Sequence, residues 1–218
     1  YNLFQGGSNR DPHLALTPSG TWTVFDTGLS ITLYGAYQLN GNVQENIDVG
    51  LGAEQDVIIS YTRALPADLT LTASFIWYLY PFADADQAGA SLPSYLEPLA
   101  ELTWGGPVDV GLQLAYNAGV QEALADFRYL YISPRVARSF DMGDNGSVDL
   151  AFSLGVKLFT QGELTRDNSY DMQLSGAVSL PMGDSAYLKP SLNLGWTNGA
   201  DLGVDEEILF WFGLAAGY

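Results

Sequence analysis

The chain has 218 residues, of which 25 are acidic and 8 are basic, so its formal net charge is -17. Phosphate recognition needs clustered cations, and this balance therefore disfavours a nucleic-acid partner. The lack of cysteine excludes a disulfide framework and thiolate metal ligands.

The length fits one large all-β domain or two small domains, and we expect a single domain covering residues 1–218. No stretch approaches the roughly 18 uninterrupted apolar residues that a membrane-spanning helix requires. The first residue is Tyr1 rather than methionine. We expect from this that a signal peptide has been removed.

Alternation of apolar and polar residues is the dominant pattern along the chain. In DLTLTASFIWYLYP, for example, Leu71, Phe75 and Trp77 share one face of a strand, and Thr72 and Tyr78 share the other. The repeating segments have the length of a tilted membrane-spanning strand, about 9 to 11 residues. The pattern predicts twelve strands, at residues 1–5, 13–25, 29–39, 54–65, 69–80, 95–104, 108–117, 127–139, 147–159, 169–181, 186–196 and 207–218.

The connections between these strands alternate between short and long. The short ones are DTG, PAD, GGP, a segment around DMGDNG, and MGDS, while those between them are longer and mostly acidic. A soluble β-sandwich or lipocalin-like barrel would give the same alternation within strands, but it has no reason to sort its connections in this way. An outer-membrane barrel has short periplasmic turns and long extracellular loops. The sequence therefore predicts a transmembrane antiparallel up-and-down β-barrel of about 12 strands, with both termini in the periplasm.

Aromatic residues near strand ends fit an interfacial girdle around such a barrel, as at Trp22 and Trp104. The C-terminal segment EEILFWFGLAAGY resembles the last strand of bacterial outer-membrane barrels as a class. Gly213, Ala216 and Tyr218 match that pattern. The resemblance implies recognition of this strand by the outer-membrane assembly machinery and contact of its apolar face with membrane lipid.

A narrower resemblance rests on EQDVIISYTRAL and LTASFIWYLYP. The acidic strand start with Asp56, the later Tyr61, and the end formed by Tyr78, Tyr80 and Pro81 are similar to a family of uncharacterised proteobacterial outer-membrane barrels. That family has no established activity to carry over. The resemblance implies a fold and a location in the bacterial outer membrane, and no more.

If the apolar face meets lipid, the opposite face lines the lumen. This face is predicted to be acidic, with three cations among the acids. Its predicted members are Asp56, Tyr78, Tyr80, Glu97, Glu101, Asp109, Gln113, Arg135, Asp149, Lys157, Asp171, Lys189, Asn193, Glu207 and Trp211.

Three functions are compatible with such a lumen. The first is porin-like permeation of small solutes or cations, because twelve strands permit a narrow pore and carboxylates concentrate cations. The second is a non-conducting structural or docking barrel, in which Arg135, Lys157 and Lys189 pair with the acids and close the lumen. The third, catalysis, is disfavoured because an acid–base hydrolase needs an imidazole, and His13 is the one histidine.

Acidic loops raise the further possibility of calcium binding. ADADQAG and ADLGVDEE contribute Asp84, Asp86, Asp201 and Asp205, but their spacing matches no defined calcium loop. A solvated acidic rim is the favoured interpretation. No nucleotide-binding or HExxH motif occurs, so the sequence predicts no cofactor and no metal.

Overall fold

The computed structural model describes residues 15–38, 54–79, 95–120, 128–159, 168–183, 186–198 and 207–217. Almost all of these residues belong to β-strands. The strands are β1 (Ala15–Leu16), β2 (Ser19–Thr23), β3 (Leu29–Gln38), β4 (Glu54–Leu65), β5 (Leu69–Leu79), β6 (Tyr95–Trp104), β7 (Asp109–Gly119), β8 (Tyr129–Asp141), β9 (Ser147–Phe159), β10 (Ser169–Met182), β11 (Ala186–Thr197) and β12 (Glu207–Gly217).

Segments β1 and β2 form one interrupted strand. Ala15 pairs with Gln38 and Ser19 pairs with Tyr34, so both segments run along β3 in the same register. The interruption includes Pro18, whose carbonyl still accepts a hydrogen bond from Gly35 N at 3.0 Å. The described residues therefore contain eleven strands. The predicted strand at residues 1–5 lies outside them.

Each strand pairs antiparallel with the next one along the chain, from β3 through β12. The fold is thus all-β and up-and-down, as the sequence predicted. Strands β3 to β12 are 10 to 14 residues long, enough to cross a bilayer at a tilt. Within the described ranges, no pairing joins β12 to the strand that begins at Ala15.

Short connections join alternate pairs of strands at one end of the sheet. In the turn between β4 and β5, Ala67 and Asp68 both have positive φ, at 62° and 58°. Non-glycine residues seldom adopt such left-handed values, so this turn is locally strained. Gly28, at φ 80°, packs so closely against the Thr62 carbonyl that it leaves no space for a Cβ.

In the described part of the chain, no helix is long and apolar enough to cross a membrane.

The two faces of the sheet differ in composition. Leucines such as Leu154, Leu174 and Leu194 are exposed on one face. The fully buried residues lie on the opposite face and are mostly polar, which inverts the usual arrangement of a soluble protein. A polar interior inside an apolar exterior is the arrangement of a membrane barrel.

Candidate functional site

A belt of buried polar side chains occupies the inner face of the strands at the end that carries the long connections. All of its members are less than 9% exposed. We call it the loop-side belt; it consists of Asp56, Tyr78, Glu97, Asn117, Tyr129, Tyr131, Lys157, Ser169, Asp171 and Thr197.

Glu97 receives hydrogen bonds from both neighbouring strands. The Tyr78 hydroxyl donates to Glu97 Oε1 at 3.1 Å, and Asn117 Nδ2 donates to Glu97 Oε2 at 3.5 Å. The register places Leu96 opposite Ala118, which brings Glu97 beside Asn117. The belt therefore holds this buried carboxylate with neutral donors, as a buried acid requires.

A second buried acid is held by a side chain from two strands away. The Tyr131 hydroxyl, on β8, donates to Asp171 Oδ1, on β10, at 3.1 Å. Gly155 of β9 lies between them, and a Cβ there would overlap the hydroxyl and both carboxylate oxygens. The contact exists because the intervening strand carries no side chain at this point.

Among the residues that the structure describes, Lys157 is the cation of the belt, and it is only 3% exposed. Its register partners are Tyr131 and Ser169. The ammonium lies 5.4 Å from the centroid of the Tyr129 ring, within the range of a cation–π interaction. The belt thus holds an ammonium group against an aromatic face.

Two ion pairs lie nearer the short turns and are open to water. Arg135 contacts Glu101 Oε1 at 2.6 Å, and Lys189 contacts Asp149 Oδ2 at 2.7 Å. The Arg135 side chain is 49% exposed and that of Lys189 is 37% exposed. We call these contacts the turn-side pairs. Water reaches this end of the inner face, while the loop-side belt is buried.

Both turn-side pairs cross one intervening strand at a small residue. Arg135 passes over Gly111 to reach Glu101, and a Cβ at Gly111 would lie 2.9 Å from Arg135 Nε. Lys189 reaches past β10, where Ala177 is the register partner of Asp149. Since each contact joins strands only two apart, it runs along the wall of the barrel and does not span the interior.

The other residues predicted to line the lumen are placed as follows. Gln113 is half-buried, Asn193 is buried and Asp109 is exposed. Tyr80 and Tyr218 lie outside the described residues. For Glu207 and Trp211 the structure describes the backbone alone, which pairs with Thr197 and Asn193. Their role in lining a pore remains a prediction.

Of the residues predicted to form the C-terminal assembly signal, Gly213 has a local explanation in the packing of the strands. Gly213 pairs with Ser191, and a Cβ on the glycine would lie 2.5 Å from Ser191 Oγ. Ala216 is exposed and pairs with Leu188. Close packing of β11 against β12 therefore accounts for the glycine, independently of any assembly signal.

The sequence-based list omitted several residues that organise the inner face, among them Asn117, Tyr131, Gly111 and Gly155. The two glycines could have been identified from the sequence, because glycine inside a strand marks close approach of another group. The side chains that meet over them could not, since strand pairing alone does not reveal a contact that skips a strand.

Within the described ranges, no group of three or more Asp, Glu, His or Cys residues could hold a metal ion. His13 and the acidic segments ADADQAG and ADLGVDEE fall almost entirely outside those ranges, and Glu207 is described by its backbone alone.

Comparison with solved structures shows the same type of barrel. The chain is similar to the NanC porin, with a TM-score of 0.57 and 11% sequence identity, over 94% of this chain and 92% of that one. No protein-family model and no curated protein matches the chain. Together with the strand topology, this similarity assigns the chain to the up-and-down β-barrels by fold.

Proposed function

We propose that this protein is a bacterial outer-membrane barrel that allows passive permeation of small solutes or cations through a narrow acidic lumen. Support for the location comes from the exposed apolar outer face, including Leu154, Leu174 and Leu194. Such a face is stable in lipid and costly in water. In this orientation the short turns face the periplasm and the long loops face outward.

The observation that carries the permeation proposal is the course of the ion pairs. Arg135–Glu101 and Lys189–Asp149 each run along the wall across a single strand. Within each pair the two opposite charges neutralise one another, and neither pair bridges the interior. The pairs therefore line a water-accessible vestibule and do not close it, which favours a channel over a lumen sealed by cross-lumen salt bridges.

Charge balance defines the expected selectivity. Six of the predicted lumen carboxylates have side chains that the structure describes, against three predicted lumen cations. An excess of fixed negative charge raises the local cation concentration and favours cation passage. The acids are Asp56, Glu97, Glu101, Asp109, Asp149 and Asp171, and the cations are Arg135, Lys157 and Lys189.

A non-conducting structural or docking barrel is the second candidate, and one observation favours it. The loop-side belt is packed closely enough that Glu97, Lys157 and Asp171 are each less than 7% exposed. In this alternative, the belt closes the barrel and function resides on its outer surface or loops. In the permeation proposal, the same belt is the constriction that limits solute size.

Planar-bilayer recording of the purified protein distinguishes the two candidates. Permeation predicts single-channel steps and, in a KCl gradient, a reversal potential on the cation-selective side. Glu97→Gln, which removes one charge from the constriction, is expected to lower that selectivity. Absence of current over a wide voltage range favours the closed barrel, and anion selectivity contradicts the acidic-lumen mechanism.

Membrane location has a separate test. An outer-membrane barrel is expected to need detergent for solubility and to migrate differently on gels before and after heating, because the folded barrel resists the detergent. A protein that is monodisperse without detergent would contradict the location. Interaction of Gly213, Ala216 and Tyr218 with the assembly machinery belongs to the same proposal, as does contact with outer-leaflet lipid.

A further inference from the structure

The side-chain oxygen of Asn117 is buried in the loop-side belt and accepts no hydrogen bond from the described residues. The residue is 2% exposed, and its Nδ2 donates to Glu97. Its Oδ1 has no hydrogen-bond partner among the described residues. A buried acceptor left in this state costs about 1–3 kcal/mol. The position therefore favours a ligand that brings a hydrogen-bond donor.

The surroundings of Asn117 show which kind of donor fits. The belt contains three carboxylates, on Asp56, Glu97 and Asp171, and one described cation, Lys157. Because buried carboxylates repel anions, the belt favours a positively charged ligand over a negatively charged one. A ligand that combines a positive charge with N–H donors meets both requirements.

Lys157 already demonstrates that the belt accommodates an ammonium group. Its Nζ lies 5.4 Å from the centre of the Tyr129 ring. Tyr129 is also the register partner of Asn117. Aromatic ring, carboxylate and amide oxygen thus meet in one small region of the inner face.

A metal ion fits this region less well than an organic cation. In the described ranges, no three acidic or histidine side chains converge as metal ligands would. The tyrosine rings instead offer faces that attract organic cations. We propose that the loop-side belt is a binding site for small primary ammonium compounds, held by Glu97 and the Oδ1 of Asn117, with Lys157 as a competing internal cation.

This inference deepens the proposed permeation function, on which it rests, by naming the solute class of the constriction. The test measures ligand binding and not current, so the ammonium site and the permeation function can fail separately. The purified barrel in detergent is heated with increasing ethylammonium chloride, and its unfolding midpoint is followed by circular dichroism. Tetramethylammonium chloride, which has the same charge and no N–H donor, and sodium chloride are compared at equal concentration.

We expect ethylammonium to raise the unfolding midpoint saturably and by more than either comparison salt. Glu97→Gln is expected to weaken the apparent affinity about tenfold or more, as for loss of a hydrogen bond to a charged group. Asn117→Leu is expected to reduce the difference between ethylammonium and tetramethylammonium, because only Glu97 then accepts from the N–H donors. Lys157→Met is expected to strengthen ethylammonium binding, because it removes the competitor.

Asp144→Asn is the matched control, because it removes one carboxylate at an exposed turn between β8 and β9. It is expected to leave the ethylammonium affinity unchanged. Equal shifts with all three salts would overturn the proposal, as would an unchanged affinity in both Glu97→Gln and Lys157→Met. If Asn117→Leu does not fold, Asn117→Asp replaces it and is expected to bind ethylammonium more tightly.

Discussion

The Tyr131 hydroxyl donates a hydrogen bond to Asp171 across an entire intervening strand, directly above Gly155. The same construction recurs near the short turns, where Arg135 reaches Glu101 over Gly111. In both cases a long side chain lies flat on the inner wall because the strand beneath carries only hydrogen. These glycines therefore determine which polar groups can meet.

Gly155→Ala is expected to destabilise the barrel by about 1–3 kcal/mol, because the new methyl group separates Tyr131 from Asp171 and leaves buried polar groups without partners. Gly176→Ala is the matched control, since a Cβ at Gly176 would meet only Leu150 Cδ2 at 3.4 Å. Urea unfolding in detergent measures both. Equal stabilities would show that the Tyr131–Asp171 contact contributes nothing.

Arg135→Gln is expected to lower the free energy of unfolding by less than about 1 kcal/mol, because solvent screens the exposed pair with Glu101. The same substitution is expected to increase cation selectivity in bilayer recordings, since it leaves the Glu101 charge uncompensated. A large loss of stability would contradict the assignment of this pair to a water-accessible vestibule. An unchanged reversal potential would contradict its place in the conduction path.

Replacing Ala67–Asp68 with Asn–Gly is expected to stabilise the barrel by about 0.5–1 kcal/mol, because it relieves backbone strain in the turn. Both native residues have positive φ, which Asn and Gly adopt with less strain. The Asp68 carbonyl accepts a hydrogen bond from Gly105 N, and this backbone contact is retained in the variant. The midpoint of urea unfolding measures the effect; a decrease would indicate that the Asp68 side chain makes an important contact.

Leu174→Arg tests which face of the sheet meets lipid. Leu174 is exposed near the middle of β10, and an arginine there is expected to cost about 2–4 kcal/mol in a bilayer. Gln173→Arg, on the adjacent inner position, is the control and is expected to cost much less. Unfolding is measured after reconstitution into lipid vesicles. A reversed order of the two costs would contradict the assignment of the faces.

The order of the strands was accessible from the sequence because it follows from local pattern. A period of two places Leu154 and Leu174 on one face and Lys157 and Asp171 on the other. Turn residues such as those of PAD and DMGDNG mark where strands reverse. These features depend on neighbours in the chain, so the predicted strand boundaries differ from the observed ones by only a few residues at most positions.

The strand interrupted at Pro18 shows the limit of that pattern. Residues 13–25 were predicted as one strand, and the structure shows two segments that keep a single register on β3. Proline lacks the N–H that a continuous ladder needs, but its carbonyl still pairs. The alternation of apolar and polar residues therefore identified the strand but not its interruption at Pro18.

The sequence by itself determined the strand pattern, the separation of the two faces and the excess of acid over base, because each depends on residue type and spacing along the chain. Only the tertiary structure decided that Lys189 pairs with Asp149, that Glu97 lies beside Asn117, and that Tyr131 reaches Asp171. Such contacts depend on register and on the size of the residue in the strand between. Neither quantity is local, so the buried belt and the exposed pairs become visible only when the strands are aligned side by side.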